Sequence, residues 1–244
     1  MHSEAGARVG SLDGLRAVAV IAVVAYHLWP HALPSGFLGV DMFMVLSGFL
    51  ITGLLLREHR ATGTIRLGAF WGRRFRRLIP ALMLMLAAVA LFVYAFGPDT
   101  MARPVRVQGI AALLYVANWK LVLDGVSYGG QLAAHSPLVH LWSLGIEEQF
   151  YLLWPLVCFV LLRTQRGRQV APFVAVAGAA ASAVLMAVLY QRGTDTARLY
   201  YGTDTRAHAF LLGATSAFVL PRLRSRARAA LSIAGPLAFG LLAV

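Results

Sequence analysis

A chain of 244 residues that is 59% hydrophobic and only 13% charged, with a mean hydropathy of +0.70, cannot fold as a water-soluble domain, because a soluble surface of that size needs far more charge. The formal charge of +12 comes from arginines clustered between apolar runs, which is how topology signals are arranged, so nucleic acid is set aside as a partner. Cys158 is the single cysteine and sits within an apolar run, which excludes disulfides inside the chain and cysteine metal sites.

In chain order, Arg8 and Arg16 precede a short apolar run from Ala17 to Ala25 that could be a signal peptide, but it continues through Tyr26, His27, Leu28 and Trp29 without a small-x-small cleavage site. Apolar runs then predict spans near 12–29, 37–56, 78–97, 107–123, 142–162, 171–190, 207–221 and 229–244, of which those at 107, 207 and 229 are short. The fold class expected is an all-α polytopic membrane protein, a bundle of about seven or eight transmembrane helices forming a single domain over 1–244. No internal repeat is visible.

Orientation follows from the loop arginines. The stretch 57–77 carries Arg57, Arg60, Arg66, Arg73, Arg74, Arg76 and Arg77, whereas 30–36 carries none, which places the first on the cytoplasmic side with the N-terminus. Simple alternation would then put the basic stretches at Arg163–Arg168 and Arg222–Arg228 outside, against the same rule. The reading that restores parity pairs the weak span ending near Asp124 with a re-entrant stretch at 125–141, since irregular backbone at depth is tolerated where protein or water covers it.

Charged and titratable groups inside these segments are expensive and mark candidate sites. Arg16 and His27 are eleven residues apart, so on a helix they share one face to within about 20°, separated by a rise of roughly 16 Å. The plain alternative is an Arg snorkelling to inner headgroups and a His at the outer interface. Asp41 opens the second span on the side where His27 ends the first, and Glu147 and Glu148 enter the fifth from that side. A carboxylate beside an imidazole orients its tautomer and stabilises its charged form, as a general base requires. Asp41 could equally be a helix N-cap, and one of the two glutamates could merely cap or solvate. No metal-ligand spacing appears on any span.

Four motifs in order carry a resemblance: Leu12-Asp-Gly-Leu-Arg-Ala-Val-Ala with His27; Gly36-Phe-Leu-Gly-Val-Asp-Met-Phe-Met-Val-Leu-Ser-Gly-Phe-Leu-Ile-Thr52; Arg73-Arg-Phe-Arg-Arg-Leu-Ile-Pro80; and His140-Leu-Trp-Ser-Leu-Gly-Ile-Glu-Glu-Gln-Phe-Tyr-Leu-Leu-Trp-Pro155. Over residues 11–155 the chain resembles acyltransferase family 3, the bacterial membrane O-acetylases of lipopolysaccharide and peptidoglycan; beyond 155 the match is of hydropathy alone. The resemblance implies a larger bundle than the spans counted here, so the chain is expected to stop short of the family's full set, in a bacterial inner membrane.

It also implies transfer of an acyl group, usually acetyl from acetyl-CoA, to a hydroxyl of a polysaccharide, a glycolipid or a glycosylated small molecule, with no metal. The family's Arg and His fall on Arg16 and His27, and its basic motif falls on Arg73, Arg74 and Arg77. On a helix 73 and 77 share a face and 74 neighbours 77, so these guanidiniums could clamp CoA phosphates, although a topogenic cluster against anionic lipid is the plain alternative. His27 is read as the general base, with Asp41 or Glu148 orienting it, and a covalent acyl-histidine relay is the competing mechanism. The competing function is a transporter of a proton, an acyl donor or a glycan precursor, which would show two related halves with paired broken helices. Ser47, Gly48, Thr52 and Gly53 are read as permitting close helix packing.

Overall fold

A computed structural model of the chain describes residues 10–29, 31, 33–126, 136–191 and 196–222, and every regular element among them is helical. The helices are α1 (Gly10–Leu28), α2 (Leu38–Thr62, after a 3₁₀ turn at Pro34–Phe37), α3 (Leu67–Phe96), α4 (Asp99–Leu113), α5 (Ala117–Leu123), α6 (Leu141–Leu162), α7 (Gln165–Gln191), α8 (Thr196–Tyr201) and α9 (Thr203–Val219). Four segments of the described residues are long and apolar enough to cross a membrane: Pro34–Thr62, Leu67–Phe96, Leu141–Leu162 and Gln165–Gln191. Large apolar side chains such as Leu84, Leu91 and Phe92 on α3 and Phe173 on α7 stand exposed, a surface that suits lipid and not water. The fold is that of an all-α polytopic membrane protein.

Two compact units divide the chain, Met1–Gly53 with Ala209–Val244, and Leu54–His208. In the first, close backbone approach is written in glycine. A Cβ at Gly36 or Gly39 would strike the backbone of α1 at Ala22 and Ala19, and one at Gly48 or Gly213 would strike the backbone of Phe210 and Val45. Without a hydrophobic force to drive apolar helices together in lipid, such small-residue contacts supply the packing. Gly48 therefore has the packing role read from the sequence, whereas Gly53 has nothing within 4 Å among the described residues.

In the second unit, contacts fix helix direction. Trp71 meets Tyr151 and Arg74 meets Glu148, so α3 and α6 run antiparallel, with the arginine-rich start of α3 at the same end of the unit as the exposed Arg163, Arg166 and Arg168. Gly109 of α4 faces Leu86 of α3, and α4 descends beside α3 from the turn at 97–98. An apolar core of Leu82, Val93, Val105, Ala111, Ala112, Ala117, Leu138 and Leu141 ties α3, α4 and α5 to the start of α6.

Two expectations are corrected here. The basic stretch 57–77 is not a loop: α2 continues to Thr62 and α3 begins at Leu67, because arginine is a good helix former and the helical period runs on through the charged residues. The weak span at 107–123 is not one helix either. It breaks at 114–116, where Tyr115 takes φ +56°. Val116 N–H donates to Ala111 O at 2.8 Å and Tyr115 N–H to Ala112 O at 3.0 Å, a Schellman-type helix end. Asn118 of α5 then packs on Gly145, and Tyr115, earlier in the chain, on Gln149, further along α6, so α5 runs antiparallel to α6 and climbs back. The chain thus reverses at 114–116, ahead of the stretch at 125–141 expected to do so; most of that stretch and the span at 229–244 lie outside the described residues.

Candidate active site

The second unit holds a cavity of about 260 Å³ bordered by Trp71, Arg74 and Phe75 of α3, Leu114, Tyr115 and Val116 of the α4–α5 break, and Glu148, Gln149, Tyr151 and Leu152 of α6. Its polar wall begins with a proline. Pro155 has no N–H to give Tyr151 O, the acceptor one turn back, and the Trp71 indole N–H fills that place at 3.0 Å. This bond sets α3 against α6 and turns the face of Phe70, Trp71 and Arg74 inward, while Arg73, Arg76 and Arg77 stay exposed.

Arg74 Nε donates to Glu148 Oε1 at 2.7 Å and Oε2 at 2.9 Å, its Nη2 also reaches Oε1, and the same nitrogen lies 3.5 Å from Glu147 Oε1. The guanidinium covers the Tyr151 ring at 3.5 Å from its centroid, and Tyr151 Oη donates to Glu147 Oε1 at 2.7 Å. With side-chain exposures of 20% and 5%, Arg74 and Glu148 form a desolvated, multiply bonded pair of the kind that holds two helices in register.

Beside it, two carbonyls at helix ends, those of Tyr115 and Tyr201, find side-chain donors. Gln149 Nε2 donates to Tyr115 O at 2.7 Å and to Asn118 Oδ1 at 2.9 Å; Asn118 Nδ2 donates to Tyr201 O and to Thr203 Oγ1, both at 2.9 Å; Thr203 Oγ1 donates to Gln149 Oε1 at 2.6 Å. Gly145 makes room for this ring, since a Cβ there would sit 3.1 Å from Asn118 Oδ1 and 3.2 Å from Tyr115 O. Tyr115 itself pays a conformational cost of about 1–2 kcal/mol as a non-glycine residue in the left-handed region.

In the first unit, His27 lies exposed at the last turn of α1 and its Nδ1 is 2.8 Å from Val23 O. A carbonyl can only accept, so Nδ1 carries the hydrogen and the neutral ring presents Nε2 as its basic nitrogen. A backbone carbonyl therefore sets the tautomer. Arg16 meets Asp13 one turn earlier at 3.5 Å, with both side chains about half exposed, a pair worth about 0–1 kcal/mol and easily exchanged. Asp41 stands in the first turn of α2, half-buried, where a carboxylate is favoured. Of the residues picked out by sequence, the structure unites Arg74, Glu147 and Glu148.

Sequence reasoning missed Trp71 as a hydrogen-bond donor, and Tyr115, Asn118, Gln149 and Thr203 altogether. Gln149 stood inside a quoted motif, and Asn118 was readable as an amide within an apolar run, where lipid leaves no solvent to satisfy it. Further along, Arg198 grips Asp204 at 2.8 and 2.6 Å, and the buried Arg206 donates to Tyr200 O at 2.9 Å, in a stretch read by hydropathy alone. Among the described residues no group of His, Cys, Asp and Glu could hold a metal ion.

Membrane-length helices around a desolvated ion pair define the class: a polytopic helical membrane protein with a paired arginine and glutamate among its helices. The chain belongs to acyltransferase family 3, whose acyltransferase domain matches residues 9–244. It is 45% identical over 233 residues to the peptidoglycan O-acetyltransferase OatA of Listeria monocytogenes, covering 93% of this chain and 37% of that protein. It is 44% identical over 210 residues to the O-acetyltransferase OatA of Staphylococcus aureus, covering 86% of this chain and 34% of that protein. The chain thus spans about a third of the length of these curated relatives. No solved structure matches it significantly.

Proposed function

We propose that this chain is the membrane domain of an O-acyltransferase that takes an acetyl group from acetyl-CoA and delivers it to a glycan hydroxyl, with peptidoglycan the first acceptor to test. The observation that carries the reading is the family match over 9–244, joined by relatives named as O-acetyltransferases, one of them of peptidoglycan. The transporter alternative is not favoured, because none of these names speaks of transport.

In this reading the arginine-rich helix ends and the N-terminus face the cytoplasm of a bacterial inner membrane. Arg74 is engaged by Glu148, so the donor's phosphates fall to the exposed guanidiniums of Arg73 and Arg77, one turn apart on α3, with Arg16 exchanging its weak Asp13 pair for the donor. His27 Nε2 takes the proton of the acceptor hydroxyl as its oxygen bonds to the acyl carbon, the carbon–sulfur bond breaks, and CoA leaves as the thiolate that is then protonated. The Nδ1 bond to Val23 O supports this role by keeping Nε2 basic. Asp41 stabilises the imidazolium, and Glu147 and Glu148 hold the wall of the cavity.

The test is acetyl-CoA-dependent acetylation of peptidoglycan fragments by membranes carrying the protein. His27→Ala is expected to abolish transfer, by a factor of about 10² or more, with acetyl-CoA binding intact. Full transfer by a folded His27→Ala protein would overturn the base assignment, and absence of any acetyl-CoA consumption by the unaltered protein would overturn the reading as a whole.

A further inference from the structure

Charge in the second unit is divided unequally between its two ends. At one end Arg57, Arg60 and Arg66 stand exposed around the α2–α3 corner, and Arg73, Arg76 and Arg77 stand exposed on the first turns of α3. Because α3 and α6 run antiparallel, the exposed Arg163, Arg166 and Arg168 of the α6–α7 turn lie at that end too. The chain holds no Asp or Glu between Glu58 and Asp99, or between Glu148 and Asp195. Glu58 is committed to Arg66: its Oε1 accepts from that residue's backbone N–H at 3.3 Å and from its Nε at 3.4 Å, and its side chain is only 11% exposed. At the opposite end the charges balance. There Arg103, Arg106, Lys120 and Arg198 are offset by Asp99, Asp124 and Asp204, with Lys120 paired to Asp124 and Arg198 to Asp204.

These cations stand where spans leave the hydrocarbon. Arg77 immediately precedes the apolar run at 78–97, and Arg163 immediately follows Leu162, the last residue of a membrane-length helix. The Arg163 guanidinium lies over the Phe159 ring, 4.7 Å from its centroid and one turn back along α6. Its charge is thus held beside the hydrocarbon edge instead of reaching out into water. Roughly 22 Å of α6 separates Arg163 from Glu148, so the patch is distinct from the Arg74–Glu148 pair. Basic residues at that level attract anionic headgroups, and the guanidinium fork matches the oxygens of a phosphate.

We propose that this face binds anionic phospholipid headgroups of the adjoining leaflet. Arg57, Arg60, Arg66 and Arg76 near the α2–α3 corner and Arg163, Arg166 and Arg168 of the α6–α7 turn are the ligands of the lipid phosphates, apart from Arg73 and Arg77, which the acyl donor engages. A lipid that binds the folded chain and not the unfolded one stabilises the fold by mass action. The strength of that effect depends on the net charge of the headgroup and on ionic strength.

The test titrates detergent-solubilised protein with dioleoylphosphatidylglycerol, with dioleoylphosphatidylcholine, which has a phosphate but no net charge, and with inorganic phosphate. Melting is followed by tryptophan fluorescence. Phosphatidylglycerol is expected to raise the melting temperature about 5–10 °C above its value in phosphatidylcholine, and about 0.5 M NaCl is expected to remove most of that difference. Inorganic phosphate is expected to give little shift. The triple variant Arg163→Gln, Arg166→Gln, Arg168→Gln is expected to melt like the unaltered protein in phosphatidylcholine and to lose about half of the phosphatidylglycerol shift. Equal shifts from the two lipids, a difference that survives salt, an equal shift from inorganic phosphate, or a full shift in the triple variant would each overturn the proposal. Should the triple variant fail to fold, the lipid, phosphate and salt comparisons on the unaltered protein decide the matter.

Discussion

The Arg74–Glu148 pair can be dissected by a double-mutant cycle. Glu148→Gln leaves the Arg74 cation facing a neutral amide, and Arg74→Met leaves a carboxylate whose side chain is only 5% exposed. Three close nitrogen–oxygen contacts are lost, and removing one partner of a buried pair costs about 3–5 kcal/mol. A Coulomb estimate at 4 Å with an effective dielectric constant of about 20 gives a similar figure of about 4 kcal/mol. At about 2–4 °C per kcal/mol for a chain of this size, each single variant is expected to melt on the order of 6–20 °C early. The double variant Arg74→Met, Glu148→Met removes both charges and fills their space with apolar atoms. It is expected to recover most of the loss and could exceed the starting protein, because neither desolvation penalty remains. Detergent-solubilised protein heated with a thiol-reactive dye reports unfolding through Cys158, the free cysteine buried in α6. Losses in the double variant equal to the sum of the two singles would refute the pairing, since uncoupled sites add.

Glycine positions in α2 make a paired prediction. Gly48→Ala drives a Cβ into the backbone of Phe210, which cannot yield as a side chain can, and is expected to cost about 1–3 kcal/mol; Gly53→Ala, with nothing nearby, is expected to be neutral or to gain up to about 1 kcal/mol in helix propensity. Equal melting temperatures for the two variants would contradict the close α2–α9 contact. Trp71→Phe strands the carbonyl of Tyr151 that Pro155 cannot serve, at about 1–3 kcal/mol, and adding Pro155→Ala restores a backbone donor to it. Melting curves of the single and double variants test this, and a double variant no more stable than Trp71→Phe alone would sink the account.

Much of the architecture was legible because lipid permits few solutions. The run predicted at 142–162 is α6 at Leu141–Leu162, and the run at 171–190 sits inside α7. The break at 114–116 was not legible. Leu113-Leu-Tyr-Val-Ala117 contains neither glycine nor proline, so local propensity argues for continuing the helix, and only the contacts of α6 with Tyr115 and Asn118 override it. The partnering of charges was hidden for a related reason. In Arg73-Arg-Phe-Arg-Arg77 the arginines are chemically alike, and which one turns inward depends on helix phase. The signal was present one turn earlier, in the buried Phe70 and the half-buried Trp71, which share a face with Arg74 and leave Arg73 and Arg77 outside. Glu148 was picked out as a candidate inside a span, but sequence could not show that α3 would bring it a cation.

That cation changes what the carboxylates can do. A glutamate held by three contacts to a guanidinium is poorly placed to accept a proton during a reaction, since protonation would surrender most of those contacts, each worth about 1.5–3 kcal/mol when a charged group is involved. On the proposed reading Glu148 serves position, and Glu147, which accepts from Tyr151 Oη, supports the same wall. The imidazole of His27 has the opposite character: one nitrogen is fixed by a backbone carbonyl and the other is left basic and exposed. On the proposed reading the chemistry of proton transfer belongs to α1, and the α3–α6 pair supplies rigidity. A pH profile separates these roles. Glu148→Gln is expected to lower transfer at every pH without moving the midpoint of the profile. A midpoint displaced by Glu148→Gln would return that carboxylate to the proton path.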